Sequence, residues 1–162
     1  MRWLRHLVHA HDARRHFPPA VLDAIQRAIV ASERNHLGEI CVVIEGALRV
    51  VELMRNRSPR ERAHEVFAHS RIWNTAANTG VLVYVLLADR SIEIIADRGI
   101  GARVEAREWA AICDAMQKYF AGGEYERGAI AGIEAIGALL ARHFPADGRD
   151  NPDELPDRPV IS

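Results

Sequence analysis

The sequence predicts an α/β fold: a three-layer α/β/α sandwich around a small mixed β-sheet made of a parallel crossover pair and a hairpin. Three observations carry this. Residues 79–101, TGVLVYVLLADRSIEIIADRGIG, hold two runs of Val, Ile, Leu and Tyr on either side of a polar turn at Asp89-Arg90, the pattern of an apolar hairpin. Residues 39–44 form a short, almost unbroken apolar run, as expected for a strand covered on both faces. A helical segment lies between the two, so the unit 39–87 predicts a parallel pair with a right-handed crossover.

Within residues 1–16, Trp3, Leu4, Leu7 and Val8 share one side of a helix, while Arg2, Arg5, His6 and His9 lie mostly elsewhere. This extra N-terminal helix is expected to dock through Trp3 and Leu7 on the body, because soluble domains usually bury such faces. A protein partner, or an acidic or membrane surface met with the help of Arg14 and Arg15, is the competing reading. Pro18-Pro19 then opens a helix over 20–35, with Val21, Leu22, Ile25 and Ile29 at helical spacing and Gly38 just beyond its end. Ser58-Pro59-Arg60-Glu61 is a capping box that starts a helix running to about Trp73. Asp89-Arg90 lacks the glycine of the favoured two-residue turns, so a slightly longer hairpin loop is expected. Trp109, Ile112, Cys113, Met116, Tyr119 and Phe120 mark one further helix. After Gly122-Gly123, Ile130, Ile133, Ile136, Leu139 and Leu140 mark another, in which Gly128, Gly132 and Gly137 read as close-packing positions. From Pro145 onward, Pro and Asp are frequent and no apolar period remains, so an irregular, extended tail is expected. The chain thus divides into a helix over 1–16, one domain over 17–145 and a tail over 146–162.

At 162 residues, with 49% hydrophobic side chains, the chain can bury one core without staples. Twenty-one Lys and Arg face twenty-two Asp and Glu, which leaves no basic footprint for nucleic acid. Cys41 and Cys113 have no framework of partners and read as reduced core thiols. With neither a signal-type apolar segment nor a run long enough to cross a bilayer, a cytoplasmic location is expected.

The parallel pairing would place Gly38-Glu39, Asn78-Thr79-Gly80 and Asp97-Arg98-Gly99 along one sheet edge. Glu39 and Asp97, with Asn78, are oxygen donors of the kind calcium or magnesium takes, and Trp73, Asn74, Thr79, Gly80, Arg98 and Gly99 complete this candidate loop edge. The plain alternative is that Asp and Asn before glycine are common turn residues. Glu45, Asp89 and Arg90 would lie at the opposite edge, beyond the carboxyl ends of the parallel strands, and rank second, since the charges of Asp89-Arg90 have a simple solubilising explanation. His6, His9, His11 and His16 crowd the N-terminus without a supporting carboxylate or cysteine pattern. No motif names a catalytic nucleophile or base.

With Trp73-Asn74-Thr75, Asn78-Thr79-Gly80-Val81, Ala88-Asp89-Arg90 and Ile95-Ala96-Asp97-Arg98-Gly99 in view, the chain resembles the TPM domain family from about residue 20 to 145. This family includes thylakoid-lumen and photosystem II repair proteins and many bacterial members. The N-terminal helix and the Glu154-Leu155-Pro156-Asp157 tail resemble its short cytoplasmic bacterial branch. The resemblance implies an α/β/α sandwich, with the calcium binding and weak acid phosphatase activity found in some relatives and no agreed substrate. The family's usual signature reads Asp-Thr-Glu and then Asn-Asn-Gly or Asp-Asn-Gly, where this chain has Asn74-Thr75-Ala76 and Asn78-Thr79-Gly80. Two negative charges fewer weaken a divalent-cation site, since affinity for hard cations follows ligand charge and number. The expectation is therefore a non-catalytic or weakly active binding module, with a low-activity divalent-metal phosphatase as the alternative.

Overall fold

The computed structural model describes residues 2–9, 12–148 and 153–162. Its helices are α1 (Arg2–His9), α2 (Asp12–His16), α3 (Pro19–Glu33), α4 (Val50–Met54), α5 (Pro59–His69), α6 (Arg98–Gly101), α7 (Ala106–Ala121) and α8 (Tyr125–His143). The strands are β1 (Glu39–Glu45), β2 (Gly80–Leu86), β3 (Ser91–Ala96) and β4 (Val160–Ile161). They form one sheet in the order β3-β2-β1-β4, with β1 parallel to β2 and β4, and β2 antiparallel to β3.

Alternation along the strands sorts the core into two layers. Ile40, Val42 and Ile44 of β1, with Val81, Val83 and Val85 of β2, pack with Ile25 and Ile29 of α3, Met116 of α7 and Ile133, Ile136 and Leu140 of α8. Cys41, Val43, Leu82, Tyr84 and Leu86 face the other way, toward Ala63 and Val66 of α5. Every residue of β1 and β2 is buried, which explains their unbroken apolar runs. In α8 the glycines do allow close packing: a Cβ on Gly132 would lie 2.3 Å from Met116 Sδ, and one on Gly128 would lie 2.7 Å from Tyr119 Cβ.

The capping box forms, with the Ser58 amide donating to Glu61 Oε2 at 2.8 Å and the Glu61 amide to Ser58 Oγ at 3.2 Å. The hairpin loop spans four residues, 87–90, and closes with Arg90 in the left-handed region at φ 52°.

Four expectations are corrected. The helix opened by Ser58 stops at His69 rather than about Trp73, because Arg71 adopts φ 53° and turns the chain out of helical geometry. The N-terminal segment is two helices, and α1 docks with its polar side inward: His6 is 2% exposed, whereas Leu4 and Leu7 are 63% and 69% exposed. Burial follows Asp89, whose carboxylate takes Arg2 at 2.7 Å and His6 at 3.1 Å. Asp89 is therefore a half-buried anchor, its side chain 7% exposed, rather than a solubilising turn residue. The tail is also ordered over 153–162: Leu155 is buried against the Cys41 face, and Val160 and Ile161 add a fourth strand beside Val43 and Ile44. His11 and residues 149–152 lie outside the described residues.

Candidate functional site

Parallel pairing brings the first candidate edge together. Glu39 lies opposite Gly80, the Asp97 amide donates to Gly80 O at 2.9 Å, and the Gly99 amide donates to Asn78 O at 3.1 Å. Two glycines allow this approach. A Cβ on Gly80 would stand 2.1 Å from Ile72 O, and one on Gly99 would stand 2.5 Å from Asn78 O. Asn78 itself sits at φ 54°, a conformation asparagine tolerates better than most residues.

The oxygen donors at this edge are engaged by protein groups, two of them by Arg98. Asn78 Oδ1 accepts from the Arg98 guanidinium at 3.0 and 3.2 Å. Asp97 caps α6, its Oδ1 accepting from the Arg98 amide at 2.7 Å. Its Oδ2 is buried and has no hydrogen-bond partner. Glu39, 2% exposed, turns toward the tail and accepts from the amides of Glu154 and Leu155 at 3.3 and 3.4 Å. Burial, with the charges of Asp153 and Glu154 adding to it, pushes the Glu39 pKa up to about 7 against those two hydrogen bonds.

Around these donors, Thr79 Oγ1 donates to Leu37 O at 2.9 Å, and the Thr79 amide donates to Thr75 Oγ1 at 3.0 Å. Trp73 is half exposed, with Nε1 donating to Ala68 O, and Asn74 is exposed. Among the described residues no group of three or more His, Cys, Asp and Glu is placed to share an ion. A guanidinium stands on Asn78 and amides stand on Glu39.

Matching against known families places the TPM domain on residues 11–139. The chain belongs to the TPM domain family. A solved structure of the same fold, the NMR structure of the BA42 protein from the psychrophilic bacterium Bizionia argentinensis, is 32% identical, covers 88% of this chain and 93% of its own, and superposes with a TM-score of 0.73. No curated protein matches the chain.

In this TPM domain a carboxylate from the tail reaches Ala76, in the loop before β2. The Ala76 amide donates to both oxygens of Glu154, at 3.0 and 3.2 Å. The tail thus lies across the edge, with its amides on Glu39 and its carboxylate on the loop before β2. Glu154 was absent from the site read in the sequence, because nothing local links residue 154 to residue 76. Beneath the tail, Glu33 at the end of α3 accepts the Ile40 amide at 2.7 Å and meets Asp157 side chain to side chain. Burial first, and then the charges of Glu39, Asp157 and Asp153, push the Glu33 pKa up to about 8.

At the opposite edge Glu45 is the centre of a buried network. Arg62 of α5 grips both its oxygens, at 2.5 and 3.1 Å, the Tyr84 hydroxyl donates at 2.6 Å, and Ser162 Oγ donates at 3.0 Å. Burial works against the charged form of Glu45, but the Arg62 and Tyr84 hydrogen bonds outweigh it and hold the carboxyl below its ordinary pKa. Period-2 alternation puts Glu39 and Glu45 on the same face of β1, so a carboxylate at each end of a buried strand signals that each needs partners. Asp89 does not join Glu45. It binds Arg2 and His6, while exposed Arg90 borders a cavity of about 560 Å³ with Leu87, Ser91, Lys118 and Tyr125.

Proposed function

We propose that this TPM domain is a binding module with no catalytic centre of its own at the Glu39–Asn78–Asp97 edge. One observation carries the reading: each of the three side chains is engaged by protein groups, Glu39 by the tail amides, Asn78 by the Arg98 guanidinium and Asp97 by the Arg98 amide at the start of α6. The absence of the two family acids at Asn74 and Ala76 supports it, since a hard-cation site loses affinity with each charge removed.

An alternative reading is a weakly active phosphatase dependent on calcium or magnesium. It draws on one atom, Asp97 Oδ2, because a buried carboxylate oxygen without a donor is the kind of group an ion satisfies. Phosphoester turnover decides between them. With p-nitrophenyl phosphate and calcium, magnesium or manganese, the wild-type chain is expected to show no turnover beyond that of the Asp97→Asn variant. Robust metal-dependent turnover that Asp97→Asn abolishes would establish the phosphatase.

A further inference from the structure

We propose that the outer surface shared by α1 and the adjoining segment 48–57 docks this protein on an anionic lipid surface. The proposal goes beyond the reading above and does not depend on it. The surface lies at the carboxyl end of β1, away from Glu39, and whether a phosphoester is hydrolysed does not bear on it.

Two anchors lay α1 along this segment. Arg2 Nη2 donates to Arg57 O at 2.6 Å, and the Leu48 amide donates to His6 Nδ1 at 2.9 Å. Residue 2 thus lies beside 57 and residue 6 beside 48, so α1 runs antiparallel to α4. His6 Nδ1 accepts, which leaves Nε2 to carry the proton that bonds Asp89, so a neutral imidazole satisfies both contacts. With the polar side held inward, the apolar side is left in solvent. Trp3, Leu4, Leu7 and Val8 of α1 are exposed beside Val50, Val51 and Met54 of α4, with Val8 at 71% and Met54 at 74%. An amphipathic helix turned this way round, next to a second exposed apolar helix, needs a cover.

Charge selects the cover. The segments 2–9 and 48–57 hold Arg2, Arg5, Arg49, Arg55 and Arg57 against Glu52 alone, in a chain whose net charge is -1. Glu52 is turned inward onto the Arg49 amide and Arg62 and also takes the Arg49 guanidinium at 3.1 Å, and Arg5 stands 3.6 Å from Asp89, yet the side chains of Arg5, Arg49 and Arg55 all remain exposed to solvent. Aliphatic side chains, a tryptophan and a fringe of arginines are the composition of a helix lying in the plane of a lipid headgroup layer. A second copy is a poorer cover, since a two-fold axis through the patch would bring like-charged arginines together. None of the described helices is long and apolar enough to cross a membrane, so the contact is an interfacial one.

The test is co-sedimentation of the full chain with phosphatidylcholine vesicles, with and without phosphatidylglycerol, at low and high salt. Binding is expected to the anionic vesicles at low salt, and to weaken at least about tenfold in high salt or on neutral vesicles. A Leu4→Ser/Leu7→Ser variant and an Arg5→Gln/Arg49→Gln/Arg55→Gln variant, all at exposed positions, should each lose about tenfold or more. Failure to sediment with anionic vesicles at low salt, or binding that the Leu4→Ser/Leu7→Ser variant retains, would overturn the proposal. So would concentration-dependent dimerisation without vesicles that this variant abolishes, which would assign the patch to a second copy.

Discussion

Replacing Arg62 by methionine is expected to destabilise the fold by about 3–5 kcal/mol, because it leaves the buried Glu45 carboxylate without its countercharge. Methionine retains most of the packing of the arginine stem, so the loss reports on the charge. Arg62 is also the point where three acids meet, since its guanidinium reaches Glu52 at 3.3 Å and Glu65 at 3.4 Å as well as Glu45. Adding Glu45→Gln to Arg62→Met should restore a large part of the stability, because an amide still accepts from Tyr84 and Ser162 without a buried charge. Urea denaturation of the four species in the double-mutant cycle measures the coupling directly. A loss under about 1 kcal/mol for Arg62→Met would mean that water screens the pair as it does at a surface.

Stability should fall by about 2 kcal/mol as the pH rises from about 5 to about 8.5, allowing for the water that reaches half-buried Glu33. In the unfolded chain Glu33 and Glu39 titrate near 4.5, whereas in the fold they hold their protons up to about 8 and about 7. Through these two groups the folded state binds more protons across this window, and the stability they contribute, complete below about pH 4.5, is lost as the pH passes through their folded values, with His36, whose pKa burial lowers, acting the other way. Glu45 and Asp89 are shifted the other way: burial is outweighed by the arginine hydrogen bonds, so their stabilisation is lost only in acid, below the window of the two raised groups. Glu33→Gln should flatten the alkaline limb of a thermal-melt profile taken against pH. A limb of unchanged slope in that variant would show that Glu33 is not its source. The groups concerned lie under the tail, so its docking through Leu155 onto Cys41 is expected to be firmest in mild acid.

Much of the sheet was legible because its signals are local. Residues 39–44 read as a buried strand from an almost unbroken apolar run, and the hairpin read from two such runs around Asp89-Arg90. From the parallel pairing it followed that Glu39, Asn78 and Asp97 share one edge and Glu45 lies at the other. What could not be read depends on distant partners. The amphipathic pattern of α1 was visible, but which face it buries is decided by Asp89, 87 residues from Arg2. Two residues, Val160 and Ile161, are too few to show a period, and they form a strand only because β1 leaves its outer edge unpaired. Val50–Met54 is a five-residue helix with no sequence signature long enough to count. At the candidate edge the residue types were legible, but their engagements were not: Arg98 on Asn78 and Glu154 on Ala76 are contacts across 20 and 78 residues.

The central claim is that the donors at this edge are committed to protein partners rather than to an ion. Backbone amide chemical shifts followed during titration with calcium and then magnesium test it most directly, at residues 37–39, 76–80 and 97–99. The account predicts no saturable change at these amides, with any shifts confined to exposed acids elsewhere. Saturating shifts centred on Asp97 and Arg98, lost in Asp97→Asn, would contradict it and place a cation at the edge.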